Sequence, residues 1–163
     1  MRRFHLVATI IRRGIIVIFA ILLVPRAIAF VPDSRGDKEN IKALKQDGPV
    51  TKYEVHQTMA IDQDRFTVNE LYWTPKQTVI RYTYRTQDAG GWSLPQIAFK
   101  LYGPQGEEYK FDSSSSSGSP WGSTGFIYYA SSKEPPTSLN LVYEWYDRRA
   151  ELNLPLQKGG EKI

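Results

Sequence analysis

Residues 78–85 read TVIRYTYR and form the clearest strand pattern in the chain. Ile80, Tyr82 and Tyr84 occupy alternate positions of this stretch. Because successive side chains of a β-strand point to opposite faces, this period of two predicts a strand with one buried face. The residues expected to point outward are Val79, Arg81, Thr83 and Arg85.

The alternation continues toward the N-terminus of this strand. Residues 51–61 predict one half-buried strand, and residues 66–73 predict a second. In the second strand the large apolar residues change face between Val68 and Leu71. One extra residue near Asn69-Glu70 explains that change as a β-bulge.

The alternation also continues toward the C-terminus, with Gly, Pro and Asp turns between the segments. The later strands are predicted at residues 97–101, 108–112, 126–130, 138–147 and 152–156. Since no amphipathic helix follows residue 50, these strands predict an all-β, immunoglobulin-like β-sandwich of about seven or eight strands over residues 50–157.

A serine-rich stretch, SSSSSGSPWGSTG at residues 113–125, interrupts this pattern. Its small polar residues are typical of a flexible segment. About three strands follow it, and three strands do not close a sandwich by themselves. We therefore expect a loop inside one domain rather than a linker between two domains.

The first 29 residues have the pattern of a secretory signal peptide. They contain five arginines and no acidic residue, and residues 14–24 are an unbroken apolar run. Ala27 and Ala29 stand in the A-x-A arrangement of a cleavage site, which predicts Phe30 as the new N-terminus. The alternative is an uncleaved membrane anchor, although a spanning helix needs about 20 apolar residues and Pro25 ends this run earlier.

Polar segments flank the predicted sandwich on both sides. Residues 30–49 are expected to form a polar tether with a short helix near residues 38–46, which Gly48 would end. Residues 158–163 are expected to form a polar tail.

The charge of the chain argues against nucleic acid as a partner. The whole sequence carries 21 basic and 17 acidic residues, a net charge of +4. Without the five leader arginines, 16 basic residues stand against all 17 acidic ones. The basic face on which phosphate binding depends is therefore absent from the predicted sandwich.

The residue types present predict no catalytic, metal or cofactor site. The chain has no cysteine, and outside the leader its single histidine is His56, expected on a polar strand face. Asp62 and Asp64 lack the rest of a calcium loop. A secreted glycoside hydrolase remains an alternative, but its candidate acid Glu144 is expected to face solvent and Glu107 to lie at a hairpin tip. Asp147 is the third conceivable member of such a carboxylate pair.

Trp92 and Trp121 are the candidate ligand-contact residues. Each lies in a Gly/Ser-rich segment, GGWSLP and GSPWGS. A large ring in such a segment either caps the core or offers a flat face to a ligand. The second interpretation predicts a module that binds carbohydrate or cell-wall glycan.

Four stretches resemble a known family. They are FTVNELYWTPKQTVIRYTY at 66–84, IAFKLYGPQGEEY at 97–109, PPTSLNLVYEW at 135–145 and LNLPL at 152–156. Over roughly residues 58–156 the chain is similar to uncharacterised immunoglobulin-like domains in exported proteins of Gram-positive spore formers. Such domains often end membrane-anchored ectodomains related to anti-sigma-factor proteins. No cytoplasmic sigma-binding segment precedes the leader here, and the shared motifs carry no catalytic residue.

Together these features predict a non-enzymatic interaction or structural module of the bacterial envelope. We expect it to be secreted or extracytoplasmic, or alternatively anchored to the membrane by an uncleaved leader. The expected partner is a protein or an envelope glycan, with no cofactor and no membrane contact other than an uncleaved leader.

Overall fold

The computed structural model describes residues 12–15, 17–19, 34–88, 93–132, 134–156 and 160–163. The chain divides into two compact units, residues 1–38 and 39–163. In the first unit, the described residues 12–15 and 17–19 are helical. Among the residues described, no helix is long and apolar enough to cross a membrane. The predicted cleavage residues Ala27, Ala29 and Phe30 lie outside the described residues.

The second unit is mostly β. Its strands are β1 Thr51–Ile61, β2 Asp64–Trp73, β3 Gln77–Arg85, β4 Phe99–Tyr102, β5 Glu108–Tyr109, β6 Phe111–Ser119, β7 Gly122–Ala130, β8 Ser138–Trp145, β9 Arg148–Pro155 and β10 Glu161–Lys162. They form two antiparallel sheets, one with the order β10-β1-β2-β3-β7-β6 and one with the order β5-β4-β8-β9. The described part thus holds ten strands, where seven or eight were predicted.

The two sheets share one apolar core, which is consistent with a β-sandwich. Phe66 of the six-stranded sheet stacks on Phe99 of the four-stranded sheet, with ring centroids 4.3 Å apart. Phe99 in turn contacts Tyr143 of its own sheet at 4.9 Å. Phe66 and Tyr82 stack at 5.0 Å within the larger sheet. Stacked and tilted rings at these distances stabilise a core beyond the effect of burial alone.

The local predictions for the first three strands are confirmed. Ile80, Tyr82 and Tyr84 of β3 are buried in the core between the sheets. The pairing of β2 with β3 shifts register between Val68 and Glu70, where a bulge was predicted. The bulge turns the large side chains that follow it back toward the core.

The helix α1 Ser34–Leu44 lies before β1, and a 3-10 turn at Lys45–Asp47 follows it. Gly48 comes next with φ +125°, a conformation that favours glycine. Leu44 is buried against Tyr72 and Val79 on the outer face of the larger sheet. Val79 points outward as predicted, but this second apolar cluster covers it, so it is not exposed to solvent.

Three sequence expectations are wrong. The strand predicted at residues 108–112 is divided at Lys110 between β5 of the smaller sheet and β6 of the larger sheet. The serine-rich stretch is not a loop, because its first half forms the strand β6 and pairs with β7. Ile97 does not begin a strand: it lies in a 3-10 turn at Gln96–Ala98 and is 64% exposed, while Ala98 is buried. Alternation alone does not distinguish a strand from a turn that leads into one.

Candidate functional site

The candidate site is the β6–β7 hairpin, which carries one of the two predicted ligand-contact residues. Trp121 lies in the turn between these strands, and 54% of its surface is exposed. It therefore does not cap the core, which was the competing interpretation. Trp92 lies outside the described residues, so the structure does not place it beside Trp121.

The backbone around Trp121 is held by three hydrogen bonds. The Thr86 amide donates to the Trp121 carbonyl at 3.1 Å, which ties the turn to the chain just beyond β3. The Trp121 amide donates to Ser119 Oγ at 3.3 Å. Ser119 Oγ also donates to the Gly122 carbonyl at 3.3 Å. An ordered backbone thus presents an exposed indole ring at the tip of the hairpin.

Gly122 is required at this turn for two reasons. Its φ of +140° lies in the region that disfavours other residues. A Cβ at this position would also collide with the Tyr84 carbonyl. The turn can therefore approach the end of β3 only with glycine here.

Strand β6 forms an edge of the larger sheet. It pairs with β7 on one side, and no described strand pairs with its other side. Eight of its nine residues are exposed, and Asp112 is the single charged one. A strand in this position presents unpaired backbone N–H and C=O groups to solvent.

The terminal strands at the other sheet edges in the described part are short or charged, and β1 beyond Lys52 also has no described strand on its outer side. β5 and β10 have two residues each. β9 carries Arg148, Arg149 and Glu151 and ends at Pro155. Charged residues, proline and short length are the usual means by which proteins discourage pairing at an edge. β6 has none of these along its serine run.

Contacts on both faces hold β6 against the domain. Burial raises the pKa of Tyr128, and a hydrogen bond between its hydroxyl and Ser115 of β6 offsets part of that rise. The Gln96 amide donates to Ser116 Oγ at 3.4 Å and to the Tyr82 hydroxyl at 2.9 Å. The strand is therefore ordered although its outer edge is free.

The residues considered for catalysis are exposed or engaged elsewhere. Glu144 faces solvent, and its carboxylate accepts a hydrogen bond from Lys100 Nζ at 2.9 Å, which lowers its pKa. A general acid needs a raised pKa instead. Asp147 is also exposed, as are Glu107 and Glu108 in and beside the turn before β5. His56 is exposed as predicted, with Glu54 3.7 Å away.

The two acids that suggested a calcium loop have structural roles. Asp64 is buried, and it accepts hydrogen bonds from the Tyr84 hydroxyl and the Gln87 amide. Asp62 forms an ion pair with Arg148 at 2.9 Å. No group of three or more metal-ligating side chains occurs among the described residues.

Sequence reasoning named Trp121 as a candidate but missed the free edge beside it. The pair Pro120-Trp121 separates two segments of similar length, residues 111–119 and 122–130. A two-residue turn between two such segments predicts a hairpin, and this signal could have indicated the edge. The serine-rich composition of residues 113–125 instead led to the prediction of a flexible loop.

Comparison with known proteins places the domain in a family. A family model described as a family of unknown function (DUF5643) matches residues 50–158. A search of curated proteins gave no match. A search of solved structures gave none either.

Proposed function

The chain belongs to this family of unknown function, and we propose that it is a non-enzymatic interaction module of the bacterial envelope, built on an immunoglobulin-like sandwich. The observation that carries the proposal is the free edge of β6, a nine-residue strand whose residues 113–119 are all serine or glycine. Such an edge can accept an extended segment of another protein as an added strand. Main-chain hydrogen bonds supply affinity in this mode of binding, and side-chain contacts supply specificity.

Trp121 gives this edge an apolar anchor. It follows β6 directly, and its indole is more than half exposed. Tryptophan is enriched among the residues that dominate binding energy in protein interfaces. We propose that a partner's strand lies along β6 and that its side chain near the hairpin tip packs on Trp121.

The proposed location rests on the leader. The arginines, the apolar run and the A-x-A arrangement that ends at Ala29 support export, so the partner would be a protein of the envelope. The absence of cysteine requires that such an exported domain be stabilised by its core, and the shared core of the two sheets fits that requirement.

Site-specific photo-crosslinking in cells tests the proposal. A photoreactive residue is placed at Ser114 on β6, and at Gln63 in the exposed turn between β1 and β2 as a control. We expect a defined adduct from Ser114 and none from Gln63. Adding Ser117→Lys should diminish the Ser114 adduct, because a lysine on an edge strand discourages pairing.

The matched variant Gln63→Lys adds the same charge away from the edge and should leave the Ser114 adduct unchanged. Equal adducts from both positions, or an adduct that survives Ser117→Lys, would contradict binding along β6.

The exposure of Trp121 also favours a second candidate, a module that binds glycan through this ring. Sugar C–H groups pack on aromatic faces. Titration with cell-wall oligosaccharides should then change the tryptophan fluorescence of the wild-type chain. The fluorescence of Trp121→Ala should not change. The same fluorescence trace with and without oligosaccharide would remove this candidate.

A further inference from the structure

The outer face of the four-stranded sheet carries an open groove that no part of the proposed function uses. Its volume is about 480 Å³. The turn residues Gly103 and Pro104 form one side, and Asn140 of β8 and Asn153 of β9 lie along the floor. We infer that this groove binds a neutral oligosaccharide, independently of the β6–β7 hairpin.

A row of three side chains runs across the outer face of this sheet, and two of them, Asn140 and Asn153, line the groove. Asn140 lies directly opposite Asn153 in the β8–β9 pairing. Tyr102 lies directly opposite Asn140 in the β4–β8 pairing. Side chains opposite each other on one face have Cβ atoms about 4.5–5.5 Å apart. The row therefore spans three strands, about 10 Å, which is long enough to contact more than one sugar ring.

The two amides are available to a ligand. Neither Asn140 nor Asn153 makes a side-chain hydrogen bond within the part of the chain that the structure describes. Each amide has two N–H donors and a carbonyl acceptor. Sugar hydroxyls donate and accept on neighbouring carbons, so they match a surface that offers both kinds of group.

The charges around the groove favour a neutral ligand. Glu151 lines the groove, but its carboxylate is paired with Arg149 Nη2 at 2.6 Å. Lys100 and Glu144, on the same face, pair with each other at 2.9 Å. The Glu107 carboxylate lies against Gly103 at the side of the groove and forms no ion pair among the described residues, so the surroundings disfavour an anionic ligand.

Apolar surface next to the amide row completes the match to a sugar. Tyr102 is half-buried, and Pro104 is exposed at the rim of the groove. An aromatic ring beside hydrogen-bonding groups is the arrangement that contacts both the C–H face and the hydroxyl edge of a sugar.

The test is an NMR titration of the ¹⁵N-labelled intact chain with neutral hexamers of glucose and of N-acetylglucosamine. We expect saturable shifts of the side-chain amide signals of Asn140 and Asn153. The Asn69 amide is an internal control, because it donates to Thr83 Oγ1 in the other sheet and should not move. Asn140→Val and Asn153→Val should each weaken binding about tenfold.

Trp121→Ala separates this site from the hairpin, and it should leave the Asn140 and Asn153 shifts unchanged. Three results would overturn the inference: no saturable shift with either hexamer at millimolar concentration, shifts lost in Trp121→Ala but kept in Asn140→Val, or larger shifts with an anionic oligosaccharide or an extended peptide. The wild-type shifts decide the question even if the asparagine variants do not fold. The photo-crosslinking result is independent of this titration, so the two proposals can fail separately.

Discussion

At the scale of single residues, Glu70 is the most heavily engaged carboxylate on the outer face of the larger sheet. It accepts a hydrogen bond from the Tyr72 hydroxyl at 2.7 Å and forms ion pairs with Lys52 at 2.8 Å and Arg81 at 3.1 Å. Burial alone would raise the pKa of Glu70. The bonds from Lys52 and Tyr72 and the charge of Arg81 outweigh burial and hold its pKa below 4.5.

This lowered pKa predicts an acid-sensitive contribution to stability. Since the folded state holds the pKa below its unfolded value, the contribution is complete above pH 4.5 and is lost as the pH falls through the folded pKa. Glu70→Gln should lower the free energy of unfolding by about 2 kcal/mol at neutral pH, because two cations lose their anion. Urea denaturation at a series of pH values should show the difference between variant and wild type shrinking in acid.

The exposed pair Arg149–Glu151 supplies the control for this prediction. Glu151→Gln should change stability little at any pH, since exposed ion pairs contribute little. A Glu70→Gln difference that stays constant from neutral pH to acid would contradict the assigned role of the carboxylate.

Individual side chains were predictable where alternation alone decides their environment. The buried faces of β3 and β8 follow directly from the positions of Ile80, Tyr82, Leu141 and Tyr143. Val79 shows the limit, because its burial depends on Leu44, a residue 35 positions earlier that packs on the same sheet face. A local pattern does not contain that distant contact.

At the scale of elements, β6 shows how pairing overrides propensity. Serine has little preference for strands, and the composition of residues 113–125 indicates a flexible loop. Strand β7 pairs with β6 from Phe111↔Tyr129 to Ser119↔Gly122 and supplies the order that composition does not. The edge on which the proposed function depends could not be predicted for the same reason.

The close approach of the two hairpin strands depends on Gly125. A Cβ there would collide with the Ser115 carbonyl and contact Ser116 Cα. Gly125→Ala should therefore lower stability by about 2 kcal/mol, since neighbouring backbone must shift. Hydrogen exchange should show the lost protection confined to β6 and β7.

Gly118 on the same hairpin is the matched control. The nearest atom to a Cβ at Gly118 is 3.9 Å away, which is ordinary contact. Gly118→Ala should therefore be neutral or stabilise the chain by about 0.5 kcal/mol, because alanine restricts the unfolded chain. Equal effects of the two substitutions would show that close packing at Gly125 does not hold β6 in place.

At the scale of the whole molecule, the number of layers was predictable and the order of strands was not. Alternating segments from 51 to 156 require two sheets that bury their apolar faces against each other. Nothing local indicates that β7 lies between β3 and β6, or that Glu161–Lys162 adds to β1. These pairings join distant residues, and the groove beside Asn140 and Asn153 depends on such pairings as well.

The shared core predicts that the two sheets unfold together. Phe99 is buried and contacts Phe66 across the sheets, so Phe99→Ala should remove about 4 kcal/mol of stability. Far-UV circular dichroism and tryptophan fluorescence should still give coincident denaturation curves, because Trp73 and Trp145 report from different sheets and both pack on this core. Ile97→Ala, two positions away and largely exposed, should change stability by less than about 0.5 kcal/mol. Separate transitions, or a loss in Phe99→Ala seen by only one probe, would mean that each sheet is stabilised on its own and that the Phe66–Phe99 contact does not couple them.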